Sequence, residues 1–326
     1  MNQPNGNFSA ISVIIPVYNE SKYIDSLMKS LIDENENLAD FYLLEGGSQD
    51  DTAERIKKWQ QLFPFIYKVD NPGRYVSFGF NAVFPVTKGK YIALLGAHAE
   101  YPKDFLQLAK SILDSNECDA VGGPLIQKGR TPKGVAIAYA MSSPMGVGNT
   151  AFRTSVKRQF VDSVAFAVYK REVFERVGVL DEQLLRNQDD ELHYRINAAG
   201  FRILMAPELK CVYYVRESFA GLFTQYFQYG LFKPLVLKKV VSGVRLRHLV
   251  PAAFVTYLLM LPLLGMIAGL QALIPLLLYV MLIAYNSLQN DLSAISKFHA
   301  VLAFFVLHIG YGSGFLIGIG KIFYRR

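Results

Sequence analysis

The chain is short of cysteine and tryptophan and, over its last third, of charge. Two cysteines among 326 residues, Cys118 and Cys211, exclude a disulfide framework, and neither belongs to a CxxC pair. They fit a reducing compartment as two small buried side chains. His193, His248, His299 and His308 show no metal-ligand spacing and read as structural. No GxxxxGK[ST] segment occurs and no GxGxxG follows a strand pattern, which excludes a P-loop and a standard dinucleotide site. Internal repeats and low-complexity segments are absent. Met1–Ala10 is polar and carries no Lys or Arg, and the first apolar run stops at Pro16. No secretory signal is expected, and the N-terminal part is expected to stay in the cytoplasm.

What is there is unevenly distributed. The 34 Lys and Arg against 27 Asp and Glu give +7, yet residues 1–227 hold 25 basic and 26 acidic side chains. The excess begins at Lys233, Lys238, Lys239, Arg245 and Arg247, with no acid among residues 228–248, and residues 249–320 hold only Asp291 and Lys297. This is a basic collar before an apolar tail, not a nucleic-acid surface. Three apolar runs, 249–269, 272–288 and 298–320, each approach the ~20 residues that a bilayer core requires. The collar is expected on the cytoplasmic face. Three full spans would leave Arg325 and Arg326 on the opposite face. Either one run is re-entrant or interfacial, or the terminal arginines lose to the collar, so two to three membrane helices are expected. Phe219–Leu237 reads as an amphipathic interfacial helix with Lys233, Lys238 and Lys239 near anionic headgroups, or else as a packing helix.

Residues 1–120 alternate between two periods. Ile11–Ile15, Phe41–Leu44, Ile66–Val69 and Tyr91–Leu95 read as strands; Ser21–Leu31, Thr52–Leu62, Ser77–Pro85 and Pro102–Leu113 read as helices between them. That order implies a mostly parallel sheet covered by helices, with ligands at the carboxyl ends of the strands. Four polar clusters follow the four strands: Pro16 to Glu20, Glu45 to Thr52, Asn71 to Arg74, and Gly96 to Glu100. Each alone can be a turn or a helix cap, with Asp50 or Asp51 capping the second helix. Four in register indicate a ligand site. Asp189-Asp190-Glu191 opens a further helical pattern, where the acids suit a helix N-terminus and Glu191 is spaced to pair with Arg195.

The segments Ser12-Val13-Ile14-Ile15-Pro16-Val17-Tyr18-Asn19-Glu20, Glu45-Gly46-Gly47-Ser48 and Asn187-Gln188-Asp189-Asp190-Glu191-Leu192-His193-Tyr194-Arg195 resemble the family 2 glycosyltransferases. Val121-Gly122-Gly123-Pro124, Val161-Asp162-Ser163-Val164 and Gln225-Tyr226-Phe227-Gln228-Tyr229-Gly230 narrow the resemblance to a bacterial exopolysaccharide branch that ends in membrane helices. It implies a GT-A, Rossmann-like α/β domain followed by a C-terminal transmembrane region, divided as 1–230, a juxtamembrane segment 231–248, and 249–326. It implies an inverting transferase using a nucleotide sugar, UDP-linked, and a lipid-linked saccharide acceptor at the cytoplasmic (inner) membrane, with membrane lipid and no nucleic acid as partners. By that resemblance Pro16, Tyr18, Glu20, Glu45, Arg74, Asn81 and Gly96 line the donor site, and Asp189 is the general base. Asp190, Arg216, Gln225 and Tyr229 close the acceptor and diphosphate side. Gly96-Ala97-His98 occupies the family's DxD metal motif, so His98 is left as the ligand for Mn2+ or Mg2+, with Glu100 nearby. The missing first carboxylate leaves a catalytically impaired scaffold open as an alternative; a nucleotidyltransferase is another.

Overall fold

The computed structural model describes residues 9–32, 38–240, 243 and 245–324. Expectations about Met1–Phe8, Arg325 and Arg326 lie outside the described residues. The chain packs as two units, divided between Ile126 and Gln127, Thr154 and Ser155, and Tyr213 and Tyr214. Residues 127–154, expected inside a single 1–230 domain, group with the C-terminal helices.

The first unit is built on an eight-stranded sheet. β1 (Ile11–Val17), β2 (Ala39–Glu45), β3 (Ile66–Asp70) and β4 (Tyr91–Leu94) follow the four strand patterns read from the sequence. Between them lie α1 (Ile24–Ile32), α2 (Thr52–Leu62) and α3 (Val76–Val83), which continues into a 3-10 turn at Phe84–Val86. Then come β5 (Ala99–Glu100), α4 (Phe105–Asp114), β6 (Ala120–Gly123), β7 (Leu125–Lys128), β8 (Gln159–Phe160) and β9 (Ala165–Lys170). α8 (Arg171–Val177), α9 (Gln188–Ala198), β10 (Ile203–Met205) and β11 (Cys211–Tyr214) complete it, once α5 (Pro132–Ser142), α6 (Pro144–Val147) and α7 (Ala151–Thr154) are assigned to the other unit. The strand order is β3-β2-β1-β4-β9-β6-β10-β8. β1, β2, β3 and β4 run parallel, and β9 runs antiparallel between β4 and β6.

β1 reads as a nearly unbroken apolar run because both faces of the sheet are covered. α1 buries Ile24, Leu27, Met28, Leu31 and Ile32, the stripe of a 3.6-residue period. Register fixes what matters for a ligand. Val17 lies beside Glu45 and Glu45 beside Asp70, so three strands end in one row and their loops leave from one edge. Both cysteines are free and buried, and burial pushes the Cys118 thiol up to about 11.

The second unit is helical. Besides α5, α6 and α7 it holds α10 (Phe219–Lys239), α11 (Leu246–Ala268), a 3-10 turn at Gly269–Leu273, α12 (Ile274–Leu288) and α13 (Ala294–Tyr324). Two stretches are long and apolar enough to cross a membrane, Leu246–Leu288 and Ala294–Ile322, with mean hydropathy of 2.3 and 1.9. α10 packs along α13. Lys233, expected near headgroups, is buried at 4% exposure, whereas Lys238 and Lys239 are exposed.

Candidate active site

The loops leaving the common edge of the sheet are bonded to one another. After β1, Asn19 takes a left-handed φ of 55°, its N–H donates to Ser48 Oγ at 3.0 Å, and its side-chain oxygen accepts from Gln49 N–H at 2.8 Å. Both partners lie in the loop after β2. The Glu20 N–H donates to Thr52 Oγ1 at 2.8 Å, and the Ser21 N–H to Asp50 at 3.2 Å. Asp50 also accepts from the Thr52 N–H at 3.1 Å, so it ties the turn, while the N-cap of α2 is Asp51. Burial pushes the Asp50 carboxyl up, yet the hydrogen bonds from Thr52 and Ser21 outweigh it and hold the group at about 2. From the loop after β3, Arg74, with φ of 60°, places its guanidinium 5.4 Å from the Tyr18 ring centre. Tyr18 itself lies against Gly46.

Glu45 ends β2 and is 6% exposed. One carboxylate oxygen accepts from the Ser48 N–H at 2.6 Å, and the other lies 3.9 Å from Lys68 Nζ. Lys68, on β3, is a neighbour that reading one sequence did not find; only the register of β2 against β3 reveals it. Pro16 lies in the last turn of β1. Asn81, expected near the donor, is committed elsewhere. Its amide nitrogen donates to the Leu180 carbonyl at 2.8 Å and to Glu182 at 3.0 Å, and its oxygen accepts from the Leu180 N–H at 3.1 Å.

The loop after β4 carries the unusual feature. Gly96 exchanges two hydrogen bonds with the Tyr101 hydroxyl, its N–H donating at 2.8 Å and its carbonyl accepting at 3.0 Å. A Cβ on Gly96 would overlap the edge of the Phe166 ring and lie 2.9 Å from its Cζ. Phe166, on β9 with φ of 51°, stands edge-on to Tyr101 with ring centres 5.7 Å apart. An aromatic ring thus fills the space that a side chain at 96 would need. Two residues on, His98 Nδ1 lies 3.0 Å from Glu20 Oε2, and its ring lies 4.0 Å from Tyr23 and 6.1 Å from Tyr213. β5 is held by antiparallel pairing with β11, which brings Tyr213 opposite Ala99. With the Glu20 carboxylate accepting from Nδ1–H, the lone pair falls on Nε2, the arrangement of a metal-ready imidazole. Glu20, expected to line a nucleoside pocket, is placed against His98. Among the described residues no three His, Cys, Asp or Glu side chains gather as a metal cage. The chain therefore supplies one oriented imidazole, which fits an ion that arrives with further ligands of its own.

Asp189 lies exposed in the first turn of α9, and the N-cap is Asn187, with a left-handed φ of 61°. The helix is anchored from within. His193 Nε2 lies 2.9 Å from the Tyr169 hydroxyl, and burial pushes His193 down to about 4, against the opposing pull of Asp190. Burial first, and the Asp189 charge second, push the Tyr169 phenol up. Glu191 is buried and paired: Arg195 grips both its oxygens at 2.7 and 2.8 Å and donates to the carbonyls of Gly178 and Val179. Of five described non-glycine residues with positive φ, Asn19, Arg74 and Asn187 lie in these loops and Phe166 lies on β9 beside Gly96. In the other unit, Gln225 Nε2 donates to Tyr229 at 3.1 Å on α10, and Arg216 lies in the segment before that helix.

A mostly parallel sheet whose strand-end loops carry carboxylates, an imidazole and an arginine over an aromatic ring defines an α/β fold with a ligand edge rather than a P-loop protein. Residues 12–178 match Glycosyl transferase family 2. The chain is 31% identical over 244 residues to the succinoglycan biosynthesis protein ExoA of Rhizobium meliloti, covering 74% of each. It is 24% identical over 323 residues to the dolichyl N-acetyl-alpha-D-glucosaminyl phosphate 3-beta-D-2,3-diacetamido-2,3-dideoxy-beta-D-glucuronosyltransferase of Methanococcus voltae, covering 95% of this chain and 97% of that one. The mannosyltransferase PcManGT from Pyrobaculum calidifontis, solved with GDP-Man and Mn2+, has the same GT-A fold, with a TM-score of 0.64, 18% identity, and coverage of 95% and 87%. The chain belongs to glycosyl transferase family 2 and is a glycosyltransferase.

Proposed function

We propose that this glycosyltransferase moves a hexose from a UDP-linked donor to a lipid-linked saccharide with inversion, in the assembly of an exopolysaccharide or cell-surface glycan at the cytoplasmic membrane. The observation that carries the reading is the cross-linked edge of the sheet, where Tyr18, Glu45, Arg74 and His98 leave four neighbouring strand ends. Glu45 accepts from the uracil N3–H, and the Tyr18 face receives the base. Arg74 offers a guanidinium to the diphosphate. His98 would hold a divalent ion, Mn2+ or Mg2+, and that ion would supply positive charge to offset the leaving diphosphate. Asp189 takes the proton of the acceptor hydroxyl as it attacks the anomeric carbon. Asp190, Arg216, Gln225 and Tyr229 belong to the acceptor side in this reading.

The lipid-linked acceptor is supported by the dolichyl-phosphate sugar substrate in the name of the Methanococcus relative and by the apolar helices of the second unit. The test is sugar transfer by purified protein in lipid. Asp189→Asn keeps size and a capping oxygen but loses basicity, so kcat should fall on the order of 10²–10⁴ with donor affinity retained. Turnover near the wild-type rate would remove Asp189 from the role. Phe166 filling the space beside Gly96 favours a second reading, a chain that keeps the fold without turnover; absence of transfer with every nucleotide sugar tried would select it.

A further inference from the structure

The helices of the second unit fix how the chain meets a bilayer. Gly310, Gly314 and Gly318 form a four-residue repeat along α13. A Cβ on Gly310 would lie 3.0 Å from the Phe223 carbonyl oxygen, and one on Gly314 or Gly318 would overlap the carbonyls of Phe227 or Leu231. A Cβ on Gly230 would in turn overlap the Tyr311 carbonyl. This is the close backbone approach that small-xxx-small spacing permits. In each pair both numbers rise by four, so α10 and α13 run parallel. α11 and α12 run antiparallel instead: Phe254 faces Tyr279 at 4.3 Å, and the Tyr257 hydroxyl donates to the Ala272 carbonyl at 2.7 Å.

These directions constrain topology. α10 opens five residues after β11, and Glu217, just before it, accepts from the N–H groups of Arg130 and of Thr131, the latter at 3.1 Å. α5 and α10 therefore start on one face, called the near face. Suppose that α13 crossed the bilayer. α10 would cross beside it, because the two are sealed together and parallel. Lys238, Lys239, Arg245 and Arg247 would then lie on the far face, and α11 would begin there. An antiparallel hairpin ends where it began, so α13 would also begin on the far face. Yet Ser296 Oγ donates to the Pro132 carbonyl at 3.1 Å, and the Tyr139 hydroxyl donates to the Asn286 carbonyl at 2.9 Å. Both ends of the link between α12 and α13 are held by α5, on the near face. The crossing contradicts itself.

Exposure divides the same way. Of the most apolar stretch of Leu246–Leu288, 11% is buried, against 50% for α13. Leu259, Met266, Ile267, Leu270, Leu277 and Met281 are each more than half exposed. No Asp, Glu, Lys or Arg lies between Arg247 and Asp291. We propose that the α11–α12 hairpin alone enters the lipid bilayer, from the face on which α5 and α10 begin, and that α13 stays on that face, sealed along α10. The basic collar, Asp291 and Lys321 then share one side, which removes the conflict that three spans create with the positive-inside rule.

The inference stands apart from the chemistry and is tested without activity. Gly320→Cys is the informative variant, because a Cβ at 320 meets no atom within 4 Å, and Asp291→Cys is its companion in an exposed link. Cys118 and Cys211 are buried and stay silent toward a membrane-impermeant maleimide. In vesicles from the expressing bacterium, both variants should label when vesicles are inverted and neither when they are right-side-out. Labelling of Gly320→Cys in right-side-out vesicles would overturn the proposal, as would labelling of Asp291→Cys there. A fluorescent-protein fusion after Arg326, bright only on the cytoplasmic face, reports the same side should the cysteine variant fail to fold. Flotation with vesicles of bacterial phospholipid should be lost in Leu270→Glu/Leu277→Glu and retained in Ile317→Glu; equal loss in both would return α13 to the lipid.

Discussion

Gly96 and Phe166 make one packing unit, and a double-mutant cycle measures it. In Gly96→Ala the new methyl meets the Phe166 ring edge, and the ring cannot swing aside freely because it stands against Tyr101, itself 5% exposed and hydrogen-bonded twice to Gly96. Overpacking of this kind costs about 1–3 kcal/mol. Loss of the edge-on Tyr101 contact adds ~0.5–1.5 kcal/mol if the ring moves. Phe166→Ala removes a half-buried ring, which costs about 1–2 kcal/mol at roughly half of a full apolar burial. With the ring gone, Gly96→Ala should cost under about 0.5 kcal/mol, leaving a coupling of about 1–4 kcal/mol between the two sites. Chemical unfolding of the four proteins in detergent, followed by fluorescence of Trp59, gives the cycle. Equal costs of Gly96→Ala in both backgrounds, within about 0.5 kcal/mol, would refute the reasoning. The cycle also has a functional arm. Gly96→Asp/Phe166→Ala sets a carboxylate two residues from His98, and it should bind Mn2+ without nucleotide more tightly than the wild-type chain does, by calorimetry.

Glu45→Ala should weaken UDP binding by about 1.5–3 kcal/mol, the range for a hydrogen bond to a charged group. Calorimetry tests it, and unchanged affinity in a folded variant would detach Glu45 from the base. Glu20→Ala should lower the affinity for Mn2+ in the presence of UDP by about 10–100-fold, the usual effect of losing a carboxylate behind a ligating histidine. Paramagnetic resonance of free Mn2+ reads this directly, and an unmoved affinity would reduce Glu20 to a loop residue. His193 stays neutral in the fold down to about pH 4, whereas the unfolded chain takes up its proton near the ordinary value of about 6.5. Its contribution to stability is complete above 6.5 and is lost as pH falls toward 4, by about 2 kcal/mol near pH 5. Melting temperature should therefore drop between pH 7 and 5 in the wild type and less in His193→Gln. Equal drops would place the acid sensitivity elsewhere.

The alternation of Ile11–Ile15, Phe41–Leu44, Ile66–Val69 and Tyr91–Leu95 with helical stripes was enough to place the sheet, because both periodicities are local properties of the chain. The carboxyl-edge clusters were legible for the same reason. Non-local facts were not. Lys68 meets Glu45 only through strand register, and Glu20 meets His98 across 78 residues. Phe166 leaves no trace in the sequence, since nothing about a phenylalanine announces a φ of 51° or a ring parked beside a glycine. Asn81, placed at the donor by resemblance, also clips Leu180, a contact across 99 residues that its position on a helix does not announce. In the acidic run the i,i+4 spacing of Glu191 and Arg195 was legible, and the pair forms, with Glu191 4% exposed and Asp189 left exposed. The glycines of α13 meet α10 across 87 residues, and that partnership was not legible either.

The seam between α10 and α13 also sets an order of events during synthesis. Each pair that closes it, Phe223 with Gly310, Phe227 with Gly314 and Leu231 with Gly318, is 87 residues apart. At roughly 5–20 residues per second the ribosome needs about 4–17 s to make that interval. Throughout it α10 lacks the helix that packs on Phe223, Phe227, Gly230 and Leu231, while every strand through β11 has already been made. The nascent chain thus displays an unsealed apolar helix beside a foldable sheet, and the α11–α12 hairpin emerges during that pause. A chain stopped anywhere between Leu288 and Gly310 would keep the sheet, the matched family region and the hairpin, yet would expose the face of α10 to other proteins. Shortening the C-terminus should therefore show itself first as aggregation during expression, before any change in the fold of the strand unit.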